Sequence, residues 1–127
     1  MEPKILLVGL GNVGREFVRL LAKKMPFLRE TFGIAPVLTG VMTRTRGALY
    51  SPRGLDEKSI FAWQSSKNYV AKEGEKVFAG FSTEDLMEML DCDILVECTR
   101  NDYEQGQPGA SYMEKAFLKG AHVVTTN

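Results

Sequence analysis

The sequence contains only two cysteines, Cys92 and Cys98, among its 127 residues. Their spacing matches no metal-binding pattern, and one pair does not make the disulfide framework of a small secreted domain. No apolar run approaches the ~20 residues of a membrane-spanning helix. A basic segment followed by an apolar stretch, which would mark a secretion signal, is also missing from the start. We therefore expect a cytoplasmic protein with no metal site and no membrane segment.

An excess of charge of either sign is also missing, because sixteen basic residues balance sixteen acidic ones. Such a balance gives no general attraction to nucleic acids or anionic membranes. The aromatic residues are not interleaved with basic ones, which argues further against nucleic-acid binding. Hydrophobic residues make up 44% of the chain and charged residues 25%, as in ordinary globular proteins. Residues 1–127 are expected to form one domain.

Histidine is nearly absent from the chain. Two residues could suggest catalysis, His122 and Glu97, and we predict a structural role for both. His122, the single histidine, opens an apolar segment near the end of the chain. A structural role is favoured for it, because its predicted strand begins there, away from the edge where ligands bind. Glu97 lies inside another apolar run, where a buried carboxylate with hydrogen-bond partners is favoured over a tuned catalytic acid.

The most informative segment present is Lys4–Gly14, which reads KILLVGLGNVG. A short apolar strand runs directly into a G-x-G-x-x-G string, and a helical pattern follows. This is the context in which the string indicates dinucleotide binding. Gly9 would allow the tight turn, Gly11 would let the backbone approach a pyrophosphate, and Gly14 would let helix and strand pack closely. The alternative is a tight strand–helix turn that binds nothing.

Apolar runs typical of strands alternate with segments of helical periodicity along the rest of the chain. This alternation, with short connections, favours a Rossmann-type α/β fold: a doubly wound parallel sheet of about five strands with helices on both faces. The first helix is expected to end near Pro26, and residues 44–54 are expected to form a loop. The predicted strands are Ile5–Val8, Val37–Thr43, Val77–Ala79, Ile94–Val96 and His122–Thr126.

The carboxyl ends of parallel strands meet at one sheet edge, where ligands of such sheets bind. The second predicted strand ends in Thr43-Arg44-Thr45-Arg46, without the acid that NAD-selective domains place there. An arginine at that position would pair with a 2′-phosphate. Arg44 and Arg46 therefore favour NADP as the cofactor over NAD, the alternative being that both arginines are solvated loop residues.

Three stretches of the chain together resemble the nucleotide-binding domain of the homoserine dehydrogenases. They are VGLGNVGREFVRLL near the start, DILVECT in the middle and GQPGASYMEKAFLKGAHVVTTN at the end. They span nearly the whole chain in the family's order, and the last is the most typical of the family. The resemblance implies NAD(P)-dependent interconversion of L-homoserine and L-aspartate 4-semialdehyde, in threonine and methionine biosynthesis.

The resemblance also assigns cofactor-binding positions. They are Leu10, Asn12 and Val13 in the turn with its three glycines, Thr99 beside the nicotinamide ribose, and Thr126 with Asn127 at the last strand. Residues 100–102 depart from the family's run and receive no role. Family members continue past this point into a substrate and dimerisation domain. We therefore expect a domain excised from a longer, homodimeric enzyme, with no catalytic residue and no turnover of its own.

Two other functions share the same turn. One is another amino-acid-linked dehydrogenase, such as an aspartate dehydrogenase, which fits the last stretch of the sequence less well. The other is a non-enzymatic module that senses a nucleotide.

Overall fold

The computed structural model describes residues 1–100 and 107–126, and these ranges form four helices and one sheet of six strands. In chain order the elements are β1 (Lys4–Val8), α1 (Asn12–Phe32), β2 (Val37–Thr43), β3 (Gly47–Tyr50), α2 (Glu57–Ser65), β4 (Lys76–Phe78), α3 (Thr83–Met89), β5 (Ile94–Glu97), α4 (Gly109–Leu118) and β6 (His122–Thr125).

The strands lie in the order β4-β3-β2-β1-β5-β6. Strands β2, β1, β5 and β6 are parallel, while β3 and β4 are antiparallel to their neighbours. The α/β Rossmann-type class is thus confirmed. The sheet has six strands where about five were expected, and it is mixed rather than parallel throughout, because β3 and β4 extend the β2 side as an antiparallel meander.

Helices cover both faces of the sheet, as predicted. Leu6 and Leu7 of β1 are both fully buried, and strand geometry points them to opposite faces. Leu7 belongs to the core under α1 and α2, where Ile60 and Trp63 are buried. Leu6 belongs to the core under α3 and α4, where Leu86 is buried. A sheet buried on both faces explains why its central strands are continuous apolar runs.

Helix α1 passes through Pro26 and ends only at Phe32, so the predicted end at Pro26 was wrong. An interior proline lacks the N–H that would bond the preceding turn, but the helix continues past it, and at its end the Ile34 N–H bonds the Leu28 carbonyl at 3.2 Å. Gly33 adopts a left-handed φ of 65° and its N–H bonds the Arg29 carbonyl at 3.0 Å. None of the helices within the described ranges combines the length and apolar character that crossing a membrane requires.

Residues 44–54 are not a continuous loop, because they contain β3. Thr43 of β2 pairs with Gly47 of β3, so only three residues connect the two strands. Gly47 has a φ of 77°, and a side chain there would lie 1.8 Å from the Phe78 carbonyl oxygen. A three-residue connection followed by a left-handed glycine is a common tight hairpin. The hairpin therefore holds Arg44–Arg46 at a defined tip.

Candidate functional site: a cavity at the carboxyl edge of the sheet

A cavity of about 440 Å³ opens at the carboxyl ends of β1, β2 and β5. Six of the predicted cofactor residues line it: Gly9, Leu10, Gly11, Arg44, Arg46 and Thr99. Asn12, Val13 and Gly14 follow directly in the first turn of α1. Thr126 follows β6 at the same edge but does not line the cavity, and Asn127 lies outside the described residues. The structure thus brings most of the predicted site together.

Two glycines of the turn are required by the fold itself. Gly9 has a φ of 96°, and a Cβ there would lie 2.7 Å from the Cys98 carbonyl oxygen. A Cβ on Gly14 would lie 2.2 Å from the Gly9 carbonyl oxygen. Both distances are too short for a side chain, so these glycines allow the tight turn and the close packing of α1 against the sheet.

Gly11 is different, because a Cβ built on it would meet no atom within 4 Å. It is the N-cap of α1, in an extended conformation with φ of −83°, and no side chain caps the helix. The first turn also contains no acidic residue. The first N–H groups of a helix lack partners within the helix and carry partial positive charge. The open space at Gly11 and these donors therefore fit a pyrophosphate.

Helix α2 holds the turn from its other side. The Gln64 side-chain amide donates a hydrogen bond of 2.6 Å to the Leu10 carbonyl oxygen. The residues lie 54 positions apart, so the sequence pattern gave no signal for this contact. Gln64 also lines the cavity, and we assign it to the site as a support for the glycine turn.

The tip of the β2–β3 hairpin forms the cavity wall opposite the glycine turn. The Arg46 backbone N–H donates to the Thr43 hydroxyl at 2.9 Å, which fixes the turn. Arg44 is exposed and Arg46 half-buried. None of the described residues that line the cavity carries a carboxylate. This wall therefore favours an anionic ligand and lacks the acid that would select against a 2′-phosphate.

The sequence prediction missed several residues of the far wall. Arg100 lines the cavity together with Thr83, Pro108 and Tyr112. Thr83 is a buried position of α3 and Tyr112 a buried position of α4, and neither was predicted to line a site. Arg100 had no assigned role, and it is the third arginine that lines the cavity, after Arg44 and Arg46. Tyr103 and residues 101 and 102 lie outside the described residues.

Cys98 and the two residues weighed for catalysis, His122 and Glu97, have structural surroundings. Burial is the main cause that raises the pKa of the Cys98 thiol above its ordinary value, so the thiol is a poor nucleophile. His122 is exposed at the amino end of β6, opposite the cavity edge, and its backbone N–H bonds Asp93 at 2.9 Å. Glu97 is fully buried and accepts hydrogen bonds, as the sequence predicted for a structural carboxylate.

A second cavity of about 510 Å³ lies at the opposite end of the parallel strands. Met25 and Arg29 of α1 line it together with Arg53 and Leu55. It contains none of the predicted site residues, and its lining includes three carboxylates, Glu2, Asp56 and Glu57, which disfavour a phosphate.

Comparisons with known proteins return homoserine dehydrogenases, although no family model matches the chain. An NAD(+)-dependent homoserine dehydrogenase from Pseudomonas canavaninivorans is 32% identical over 130 residues, which cover 99% of this chain and 36% of that protein. The crystal structure of homoserine dehydrogenase from Thermoplasma acidophilum is 31% identical with a TM-score of 0.67, over 98% of this chain and 35% of that one.

A hyperthermophilic archaeal homoserine dehydrogenase solved with NADPH covers 100% of this chain with a TM-score of 0.73. It is 23% identical, and the match covers 36% of its own length, so this likeness concerns the fold. The chain spans about a third of the length of the curated relatives it matches.

The sheet order, the glycine turn and the cavity define a Rossmann-type dinucleotide-binding domain. Within that class, the chain is the counterpart of the N-terminal cofactor-binding domain of the homoserine dehydrogenases. The expected resemblance is confirmed along the whole chain, and the matches favour this family over the other amino-acid-linked dehydrogenases.

Proposed function

We propose that this chain binds NADP, in preference to NAD, as the cofactor-binding part of a homoserine dehydrogenase. The observation that carries the proposal is the open space at Gly11, beside the uncapped first turn of α1. These features fit the pyrophosphate that NAD and NADP share. When bound, the nicotinamide supplies hydride transfer, and the protein supplies binding and orientation.

The preference for NADP rests on the other cavity wall. Arg44 and Arg46 line it, and the described lining contains no carboxylate. A guanidinium pairs with a phosphate through charge-assisted hydrogen bonds, whereas an acid would pair with the ribose hydroxyls of NAD. The relatives do not decide the question, because one is named for NAD(+) and another was solved with NADPH.

The remaining predicted contacts belong to the same proposal. Leu10, Asn12 and Val13 would hold the pyrophosphate, while Thr99, Thr126 and Asn127 would lie toward the nicotinamide ribose. Interconversion of homoserine and aspartate 4-semialdehyde, and assembly as a homodimer, are proposed for the whole enzyme by analogy with its relatives.

Titration calorimetry on the wild-type chain and on Gly11→Val tests this function. The branched side chain would occupy the space that is open beside the helix N-terminus, so dinucleotide binding should be lost. The variant should fold, because nothing lies within 4 Å of the new Cβ. Circular dichroism and thermal unfolding are the controls. Unchanged affinity in a folded variant would mean that the turn is only structural.

A further inference from the structure

Glu97, the last residue of β5, is the one ionisable side chain among the fully buried residues that the structure describes. Burying a carboxylate costs free energy unless hydrogen bonds compensate for the lost water. An apolar residue of similar size would fill the same position without this cost. The hydrogen bonds that the Glu97 carboxylate accepts therefore indicate its role.

The Glu97 carboxylate connects the ends of two neighbouring strands. Its Oε2 accepts hydrogen bonds from the Thr99 backbone N–H, at 2.8 Å, and from the Thr99 hydroxyl. Its Oε1 accepts from the Thr125 hydroxyl at 2.7 Å, and Thr125 is its pairing partner in β6. The Glu97 main-chain carbonyl accepts from the Thr126 N–H at 3.1 Å. One residue thus fixes the backbone where both strands leave the sheet.

These strand ends lie on one side of the glycine turn, and the β2–β3 hairpin lies on the other. In this fold the pyrophosphate lies at the turn and the adenosine ribose lies at the end of β2. The second nucleotide half therefore extends over β5 and β6. Thr99, which Glu97 holds twice, lines the cavity on that side.

We propose that Glu97 is a positioning residue for the nicotinamide–ribose half of the cofactor, acting through Thr99 and Thr125. The inference rests on the proposed function. Since adenosine binding depends on the glycine turn and the hairpin, it should be independent of Glu97. If the carboxylate were purely structural, altering it would weaken binding of the adenosine half and of the nicotinamide half alike.

Two variants test whether the hydrogen bonds of Glu97 influence binding of the nicotinamide half. Thr125→Val keeps the branched shape and removes the hydroxyl that donates to Oε1. Glu97→Gln keeps the size of the side chain, but it removes the charge and replaces one acceptor oxygen with an NH₂ group that cannot accept from Thr99 or Thr125. Thr39→Val is the matched control, because its buried hydroxyl donates to the Ile5 carbonyl at 3.2 Å, elsewhere in the same sheet.

Calorimetry would compare NADP⁺ with adenosine 2′,5′-bisphosphate, which lacks the nicotinamide half. We expect Thr125→Val and Glu97→Gln to weaken NADP⁺ roughly three- to tenfold, the effect of one lost hydrogen bond. Both should bind the bisphosphate within about twofold of wild type. Thr39→Val should lower the melting temperature and leave the ratio of the two affinities unchanged.

Equal weakening of both ligands, or unchanged NADP⁺ binding by folded Thr125→Val, would overturn the inference. If Glu97→Gln fails to fold, Thr125→Val decides. A wild-type chain that binds neither ligand would overturn the proposed function itself, which separates that failure from a failure of the Glu97 inference alone.

Discussion

At the scale of single residues, the three glycines of one short motif have two kinds of role. Gly9 and Gly14 lie where a Cβ would collide with backbone, so the fold alone requires them. Gly11 lies in open space, so packing within the chain does not require it. The sequence predicted all three positions from their spacing. The motif also predicted this division of roles, and the Cβ distances agree with it.

Cofactor preference should depend on Arg44. A hydrogen bond to a charged group contributes roughly 1.5–3 kcal/mol, so Arg44→Ala should weaken NADP binding about 10- to 100-fold and leave NAD nearly unchanged. Arg44→Asp should invert the preference, because a carboxylate repels the phosphate and can accept from ribose hydroxyls. Both dinucleotides must be titrated at one salt concentration, since salt screens the phosphate contact.

Arg46→Ala and Arg100→Ala are the matched comparisons for Arg44→Ala, because both residues line the same cavity. A selective loss confined to Arg46→Ala would place the phosphate contact in the same hairpin but on the other arginine. Equal weakening of NAD and NADP by Arg44→Ala would show that Arg44 does not recognise the 2′-phosphate.

At the scale of elements, the sequence predicted the parts of the fold that depend on local pattern. The strand before the glycine turn and β2 were found because buried strands are compact apolar runs. The β3 strand was missed because Gly47–Tyr50 is short and follows a polar tip. The end of α1 was misplaced because proline is a common stop signal, whereas this helix continues past Pro26 to the left-handed cap at Gly33.

Those two errors also concern the site. The first helix is longer than predicted, and together with β2 it fills most of the 30-residue separation between Gly14 and Arg44. The missed hairpin turns a supposed loop into a fixed tip that lines the cavity. Gln64 and Tyr112 come to the same cavity only through tertiary packing, which no local pattern encodes.

Asp56 should stabilise α2, and through it the glycine turn. Its carboxylate accepts a hydrogen bond of 2.7 Å from the Ser59 N–H, the cap of the helix that carries Gln64. Loss of such a cap costs about 1 kcal/mol, so Asp56→Ala should lower the free energy of unfolding by about that amount. Urea unfolding at neutral pH would measure it, and no change would contradict the assigned cap.

The same cap predicts a dependence on pH. The backbone hydrogen bond from Ser59 is the largest influence on Asp56, and its pKa lies below the ordinary value of 3.8. A lowered pKa in the folded state adds stability above the unfolded-state pKa, and this is lost as pH falls through the folded pKa. The stability difference between wild type and Asp56→Asn should therefore shrink below about pH 4, and by a modest amount because the side chain is largely exposed.

At the scale of the whole molecule, we expect the chain to bind the cofactor without oxidising homoserine. Oxidation of homoserine requires removal of a hydride and of the hydroxyl proton. The described lining of the cavity contains no carboxylate, histidine or lysine that could take the proton. We expect the 127-residue chain to bind dinucleotide and to form no reduced nicotinamide with homoserine. Formation of reduced cofactor above the rate of a protein-free control would contradict this.

The central claim is that the carboxyl edge of the sheet binds a dinucleotide with its phosphates at the glycine turn. An amide-resolved nuclear magnetic resonance titration of the isotopically labelled chain with NADP⁺ tests it most directly. We predict the largest shifts at Gly11–Gly14, with further shifts at Thr43–Arg46 and at Thr99. Shifts centred instead on Met25, Arg29 and Leu55 at the opposite cavity, or no shifts at a saturating concentration, would contradict the account.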